Sequence, residues 1–355
     1  MARGGKKPDA RDGKRYKSTK TGTDPNEFSG DTQPQRSIAI DLQQKCLDIF
    51  RDALEPDPEE TAILQEVKGH LYDRNFAAAF GKDEYLQVYA SRWSPSRALA
   101  YLQVFQDIEA MLTAGPIKEG DDLSIVGLGG GAGGELVALA GWFRMLQAEG
   151  DGEGAKALDV TLVDIADWSK VTNSLRRGIT TPPELSKYAS QAKKEANHAL
   201  LNDTDMSVVF LQQNLLHVKE YEMDRLSERL RSARLITLMF TLNELYFISV
   251  ASTTKLLHRI TNCIRPGSCL LVVDSPGSYS TVSLNGRETR YPMRHLLEYT
   301  LLDISKTETA TPEWEKVFSN DSRWFRLAEN LGYPIKLEDM RYQIHVYRRL
   351  GTSAG

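Results

Sequence analysis

The hydrophobic positions of this chain follow two patterns, and the change comes near residue 120. Over residues 37–114 apolar side chains recur every three or four positions, as at Leu42 and Cys46, which predicts a run of helices. The pair Ser94-Pro95 predicts that the last of these helices begins there, with the serine as N-cap and the proline in the first turn.

After residue 120, short apolar runs alternate with amphipathic stretches, which predicts an α/β protein with a doubly wound, Rossmann-like sheet. The predicted strands are 123–128, 159–164, 207–211, 234–240 and 269–273, with a closing pair at 334–339 and 342–349. The predicted helices are 133–148, 168–177, 184–201, 219–231, 247–264, 292–303 and 313–331. Because the closing strands are almost adjacent in sequence, they should pair antiparallel beside five parallel strands, which makes seven in all.

Composition and charge narrow the classes of function. The chain has 355 residues, 41% of them hydrophobic, and no apolar run approaches the ~18–20 residues of a membrane span. Three scattered cysteines and six scattered histidines offer no metal-ligand spacing. Residues 1–20 hold eight Lys or Arg against Asp9 and Asp12, so the rest of the chain carries a net charge of −10, although the whole chain is at −4. We expect residues 1–36 to be a disordered basic tail, either a solubilising segment or, as we favour, a nuclear or nucleolar address that tethers RNA.

The first candidate site is the segment GLGGGAGG at 127–134, between the first predicted strand and its helix. Backbone without side chains approaches a ligand closely, and a helix N-terminus favours negative charge. The segment satisfies both the dinucleotide pattern GxGxxG and the methyltransferase pattern GxGxG, and a tight turn without a ligand is the alternative. The candidate cofactor-binding glycines are Gly127, Gly129, Gly131 and Gly133.

Polar residues follow the next two strands. Asp164 ends the second predicted strand, where a carboxylate accepts hydrogen bonds from both ribose hydroxyls of an adenosine-containing cofactor. Its separation from the glycine loop exceeds the ~20 residues of a dinucleotide fold, which favours a methyltransferase. Trp168 is a candidate for the adenine face, with helix packing an equal alternative. Asn214 is a candidate reader of the adenine amino group, against the alternative of a turn asparagine.

The loop FTLNEL at 240–245 follows the fourth predicted strand, at the sheet edge where ligands bind. Thr241 is a candidate cofactor contact, and Asn243 and Glu244 are candidate catalytic residues, since an amide pairs with a base edge and a carboxylate takes a ring proton. The alternative is a helix start with Asn243 as cap.

Arginines and aromatic residues form two candidate substrate-binding groups. The first lies upstream of strand 1, where guanidinium groups suit phosphates and rings stack on bases. The second is a short basic cluster near residue 290, for which a charged helix face is the alternative. The candidates are Arg92, Trp93, Arg97, Tyr101, Arg290 and Arg294.

These motifs together resemble the fungal nucleolar large-subunit rRNA (uridine-N3)-methyltransferases, a family of S-adenosylmethionine (SAM)-dependent class I methyltransferases. The likeness runs from about Asp41 to about Arg349 and is most specific at 92–101, 127–136, 164–168, 240–245 and 273–277. It implies a class I fold, SAM as cofactor, a uridine of large-subunit rRNA or a pre-ribosomal particle as partner, and a nucleolar or nuclear setting. Such enzymes usually carry an acid two positions before the first loop glycine, where this chain has Ile125 or Gly127, depending on register.

We therefore expect a basic tail at 1–36, a helical N-terminal extension at 37–118 and a class I methyltransferase domain at 119–350. Glu244, or a water held by Asn243, would take the N3 proton of the target uridine, with neither a metal nor a membrane involved. A methyltransferase of tRNA or protein is an alternative with the same cofactor motifs. A catalytically silent RNA-binding subunit is a second alternative, because the acid usually found before the glycine loop is missing. A nicotinamide dehydrogenase would require parallel closing strands.

Overall fold

The computed structural model describes residues 37–113, 122–149, 155–217, 220–284, 287–303 and 312–351. The basic tail predicted at 1–36 lies outside the described residues. The N-terminal part is helical, as the periodicity predicts: α1 is Ile40–Leu54, α2 is Thr61–Tyr72, α3 is Phe76–Ala79 and α4 is Asp83–Thr113.

Helix α4 runs through the position where a new helix was predicted to begin. Pro95 lies inside it, and Ser94 does not cap, because its hydroxyl donates to the carbonyl of Ala132, 2.7 Å away in the glycine loop. A proline inside a helix removes the hydrogen bond to the carbonyl four residues earlier, here Ser91. The Tyr333 hydroxyl donates to that carbonyl over 2.9 Å. The prediction of a helix start at Ser94-Pro95 is therefore wrong, since a tertiary contact replaces the missing backbone donor.

The central sheet has seven strands in the order β3-β2-β1-β4-β5-β9-β8. Five are parallel, and β9 runs antiparallel between β5 and β8. This confirms the predicted class I arrangement. The strands are β1 Leu123–Leu128, β2 Leu158–Asp164, β3 Met206–Gln212, β4 Leu235–Met239, β5 Cys269–Asp274, β8 Trp314–Phe325 and β9 Met340–Arg349. The connecting helices are α5 Gly134–Glu149, α6 Ser169–Thr180, α7 Gln191–Glu195, α8 Glu220–Ser232, α9 Leu242–Ile248 and α10 Val250–Cys263.

The segment after β5 differs from the prediction. A hairpin of β6 Tyr279–Leu284 and β7 Arg287–Pro292 was not predicted, and α11 Met293–Glu298 follows it, continuing into a π-helical turn at Tyr299–Asp303. The helix predicted at 313–331 is wrong, because most of that stretch is β8. Register shifts at Lys316/Phe318 and Asn320/Arg323 break the two-residue alternation that reveals a strand in sequence. Residues 334–339 form no strand, and within 184–201 only α7 is helical.

The hydrophobic core has two parts, one on each face of the sheet. One part joins β1 and β2 to α1, α4, α5 and α6 and contains Phe50, Phe105 and Trp142. The other joins the sheet to α8, α9, α10 and α11 and contains Leu230 and Leu257. The N-terminal helices thus share one core with the sheet, and α4 is held above the glycine loop.

Candidate functional site

A cavity of about 570 Å³ opens at the carboxyl ends of β1, β2 and β4, beneath α3 and α4. This is the edge where open α/β sheets bind ligands, and the volume suits a nucleoside cofactor. The connections after β1, β2, β3 and β4 all contribute side chains or backbone to the cavity. The lining includes Gly129, Gly130, Asp164, Gln213, Phe240 and Glu244, together with Tyr89, Arg97 and Tyr101 of α4.

The glycine loop is shaped by close approach of its neighbours. Gly129 and Gly133 have φ of +87° and +79°, where glycine is favoured. A Cβ on Gly129 would lie 2.2 Å from the hydroxyl oxygen of Thr241, and one on Gly131 would lie 2.0 Å from Cδ1 of Trp168. Gly129 and Thr241 line the cavity. Gly127, Gly131 and Gly133 are not among the lining residues and serve the packing beneath it.

Asp164 lies at the end of β2 with its carboxylate in the cavity. Its oxygens accept hydrogen bonds from the backbone N–H groups of Gly131 and Ala166, both at 3.2 Å. Burial raises the pKa of Asp164, while these N–H groups oppose the rise. Each carboxylate oxygen has further acceptor capacity, so the geometry fits a pair of ribose hydroxyls.

Trp168 and the residues after β3 close the same side of the cavity. Trp168 is buried against the rings of Phe80 and Tyr89, which is the packing alternative, yet it also lines the cavity. Its indole N–H makes no hydrogen bond of ordinary geometry among the described residues, but it lies close enough to the Asp164 carboxylate to lower the pKa of that group. Asn214 lines the cavity too, although its amide oxygen accepts the backbone N–H of Leu216 at 2.9 Å, as a turn asparagine does. Sequence reasoning missed Gln213.

Gln213 is buried in the cavity wall, and its side-chain amide nitrogen has no partner among the described residues. Its backbone N–H donates to the carbonyl of Asp164 at 2.7 Å, which fixes it beside the candidate ribose ligand. A glutamine one position past a strand carries no signal that distinguishes it from Asn214 in sequence.

Charged groups meet across the cavity at Glu244. Burial raises the pKa of Glu244 to about 7, and the carboxylates of Asp274 and Asp164 add to the rise while Arg97 opposes it. Arg97 donates to the Tyr89 hydroxyl at 2.8 Å. At this pKa the carboxyl group exchanges a proton readily at neutral pH, as a general base requires.

Asp274, at the end of β5, is a second residue that sequence reasoning missed. It is 3% exposed, and its carboxylate accepts the backbone N–H of Asn243 at 3.0 Å and of Ser275 at 2.7 Å. Burial raises the pKa of Asp274 to about 6. Asn243 is therefore held at the start of α9 by an acid from the next strand, and it is not among the residues that line the cavity.

The predicted substrate-binding residues divide by location. Arg97 and Tyr101 line the cavity. The other four lie elsewhere with protein partners: Arg92 pairs with Glu338, Trp93 packs on Tyr89, Arg290 lies over the Tyr279 ring and Arg294 pairs with Asp321 at 2.9 Å. Their roles toward RNA stay predictions.

The described residues contain neither a membrane-spanning helix nor a cluster of metal ligands. No helix among them is long and apolar enough to cross a membrane. Within the same ranges, no three or more His, Cys, Asp or Glu side chains group as metal ligands would.

Known proteins that resemble this chain are consistent with a nucleoside-cofactor site in the cavity. A family model described as "Putative SAM-dependent methyltransferase" matches residues 48–348. A Saccharomyces cerevisiae protein named 25S rRNA (uridine(2843)-N(3))-methyltransferase is 32% identical over 330 residues, which cover 86% of this chain and 85% of the yeast protein.

Solved structures give a looser likeness. A SAM-dependent methyltransferase from Methanosarcina mazei is 13% identical, with a TM-score of 0.37, over 66% of this chain and 95% of that one. Human N-acetylserotonin methyltransferase in complex with SAM is 15% identical, with a TM-score of 0.33, over 87% of this chain and 67% of that one. The fold assignment rests on the strand order and the family match.

Proposed function

This chain belongs to a family of SAM-dependent methyltransferases, and on that premise we propose that it methylates N3 of a uridine in large-subunit rRNA. The proposal is supported by the yeast relative, whose name states that reaction and which aligns with this chain over 86% of its length. The observation that carries the chemistry is Glu244, a carboxylate with a pKa raised to about 7 by burial, in the same cavity as the glycine loop and Asp164.

The residues of the cavity fit the cofactor. When bound, SAM supplies an electrophilic methyl group, so the protein's task is to align a nucleophile and remove its proton. We propose that Asp164 holds the ribose hydroxyls and that the backbone at Gly129 lies against the cofactor. The side-chain amide nitrogen of Gln213, which has no partner among the described residues, would hold the base, with Asn214 beside it.

Glu244 is the proposed general base. Uracil N3 carries a proton that must leave before or as the nitrogen attacks, and N3 lies on the Watson–Crick edge, so the base must be unpaired or swung out. Arg97 raises the fraction of Glu244 that is ionised. Its guanidinium would also stabilise the negative charge that spreads over uracil when N3 loses its proton.

The test is methyl transfer to a large-subunit rRNA transcript, with the modified nucleoside identified by mass spectrometry. Glu244→Gln should lower the turnover rate by about 10²–10⁴-fold while binding of S-adenosylhomocysteine stays unchanged in calorimetry. Glu195→Gln, an exposed carboxylate on α7, is the matched control and should behave as the natural chain does. Full turnover in Glu244→Gln would refute the base assignment. Methylation of tRNA or protein alone, or no transfer to either the transcript or pre-ribosomal particles, would refute the rRNA substrate.

We also propose that the protein acts in the nucleolus or nucleus, on the rRNA itself or on a pre-ribosomal particle during ribosome biogenesis. The support is the positive surplus of residues 1–20 and the rRNA named as the yeast relative's substrate. A fluorescent fusion should concentrate in the nucleolus, and removal of residues 1–36 should disperse it. An unchanged distribution of the shortened chain would contradict this role of the tail.

A further inference from the structure

Glu135 places its carboxylate beside Gly127 and Gly130, two positions that have no side chain of their own. It belongs to the first turn of α5, yet its side chain folds back under the glycine loop. A Cβ on Gly127 would lie 2.8 Å from its Oε2 atom, and a Cβ on Gly130 would lie 2.1 Å from it. The two missing side chains therefore leave the space that this carboxylate fills. Gly127 is one of the two positions where the usual methyltransferase acid would stand.

The carboxylate is buried without a cation beside it among the described residues. Glu135 is 3% exposed, and neither of its oxygens makes a hydrogen bond of ordinary geometry there. Burial raises the pKa of Glu135 to about 7, the Asp164 carboxylate adds to the rise, and a hydrogen-bonding contribution from the nearby Thr237 hydroxyl opposes it. A buried carboxylate with a single hydroxyl near it is costly, so its retention points to a further donor that arrives from outside the chain.

The position of Glu135 defines the chemistry of that donor. Its carboxylate adjoins the glycine loop and lines the same cavity as Asp164, at the end of the cavity next to the N-terminus of the 16-residue helix α5. A helix N-terminus attracts a carboxylate and Glu135 attracts a cation with several N–H donors. The two together match an amino-acid zwitterion.

We propose that Glu135 receives the α-ammonium group of the methionine moiety of SAM, in place of the strand acid that this chain lacks at Gly127. The acid reaches the ligand from the helix that follows the loop and not from the strand that precedes it. This inference rests on the cofactor of the family and is independent of the RNA target.

Calorimetric titration of the full chain tests it with three ligands. S-adenosylhomocysteine has the ammonium group, its deaminated analogue keeps the carboxylate alone, and 5′-methylthioadenosine lacks the amino-acid part. Glu135→Gln should weaken the affinity for S-adenosylhomocysteine by about 10–100-fold and change the affinity for each of the other two ligands by no more than about twofold. Equal weakening of all three ligands, or of none, would overturn the assignment.

Two variants separate this role from a structural one. In Glu135→Ala combined with Gly127→Asp, the acid returns to the strand, and the preference for S-adenosylhomocysteine over its deaminated analogue should return with it. Two of the three atoms nearest to a Cβ at Gly127 belong to Glu135, and the third is the tip of Leu162 at 3.1 Å, so removal of Glu135 relieves most of the crowding there. Glu135→Gln should also melt at a higher temperature than the natural chain without ligand at pH 8, because it removes an unpaired buried charge.

A lower melting temperature of Glu135→Gln, together with lost binding of all three ligands, would mean that Glu135 serves folding. The rRNA proposal fails differently. In that case all ligand preferences hold, and only methyl transfer to the transcript is absent.

Discussion

The hydroxyl of Tyr333 stabilises α4 by serving the carbonyl that Pro95 leaves without a helical donor. The bond to the Ser91 carbonyl is 2.9 Å long, and Ser91 is 5% exposed. Tyr333→Phe removes the donor and little else, so a buried carbonyl loses a partner. We expect the free energy of unfolding to fall by about 1–2 kcal/mol.

Urea unfolding followed by circular dichroism measures this loss. With an m-value of about 3 kcal/mol/M, the midpoint should fall by ~0.3–0.7 M at unchanged m. Tyr188→Phe, at a tyrosine that is 84% exposed, is the matched control and should leave the midpoint where it is.

A double-mutant cycle with Pro95→Ala identifies the mechanism. Alanine restores a backbone N–H four residues after Ser91, so in that background Tyr333→Phe should cost about 0.5 kcal/mol or less, a coupling of about 1 kcal/mol. If Tyr333→Phe costs the same in both backgrounds, the hydroxyl does not replace the helical donor and the reasoning is refuted.

Two further predictions concern the packing of the glycine loop and the buried acids near the cavity. Gly131→Ala places a Cβ 2.0 Å from Cδ1 of buried Trp168 and should lower the free energy of unfolding by about 1–3 kcal/mol. The control is Gly69→Ala, whose Cβ has nothing within 4 Å and which should raise the free energy of unfolding by about 0.5–1 kcal/mol. Melting temperatures that shift in the same direction in both variants would contradict this prediction. Burial raises the pKa of Glu244 to about 7 and that of Asp274 to about 6, so the folded chain binds these two protons more tightly than the unfolded chain does. The stability that this proton binding contributes is complete below about pH 4 and is lost as the pH rises through 6 to 7. The melting temperature of the ligand-free protein should therefore fall between pH 5 and 8, less steeply in Glu244→Gln, and an identical slope in that variant would count against the burial of this group.

Local pattern was sufficient for most of the sheet. Strands β1, β2, β4 and β5 are almost wholly buried apolar runs, and β3 is a partly buried one. Polar or glycine-rich turns bound all five, so each strand can be predicted from its own few residues. The glycine loop and Asp164 were also visible, because their positions follow directly from where β1 and β2 end. The identity of the cofactor was predicted from the resemblance of these motifs, taken together, to one family of methyltransferases.

The pattern was insufficient where tertiary contacts replace local ones. Strand β8 alternates irregularly because bulges let it follow β9, and the hydrogen bonds that hold it come from a strand 15 residues or more away. Helix α4 passes Pro95 because Tyr333 lies across it. The sequence of β8 does not reveal its pairing with β9, and the sequence of α4 does not reveal its contact with Tyr333.

The sequence by itself determined the class of fold, the candidate cofactor edge of the sheet and the candidate base Glu244, since these follow from short-range periodicity and from residues adjacent to strand ends. Only the tertiary structure decided which side chains meet in the cavity. Gln213 and Glu135 were brought there by β3 and by a turn of helix, and β5 placed Asp274 near Glu244. The raised pKa values of Glu135 and Asp274 come from the burial that those contacts create. Burial and proximity depend on the whole chain, so they are absent from any segment read alone.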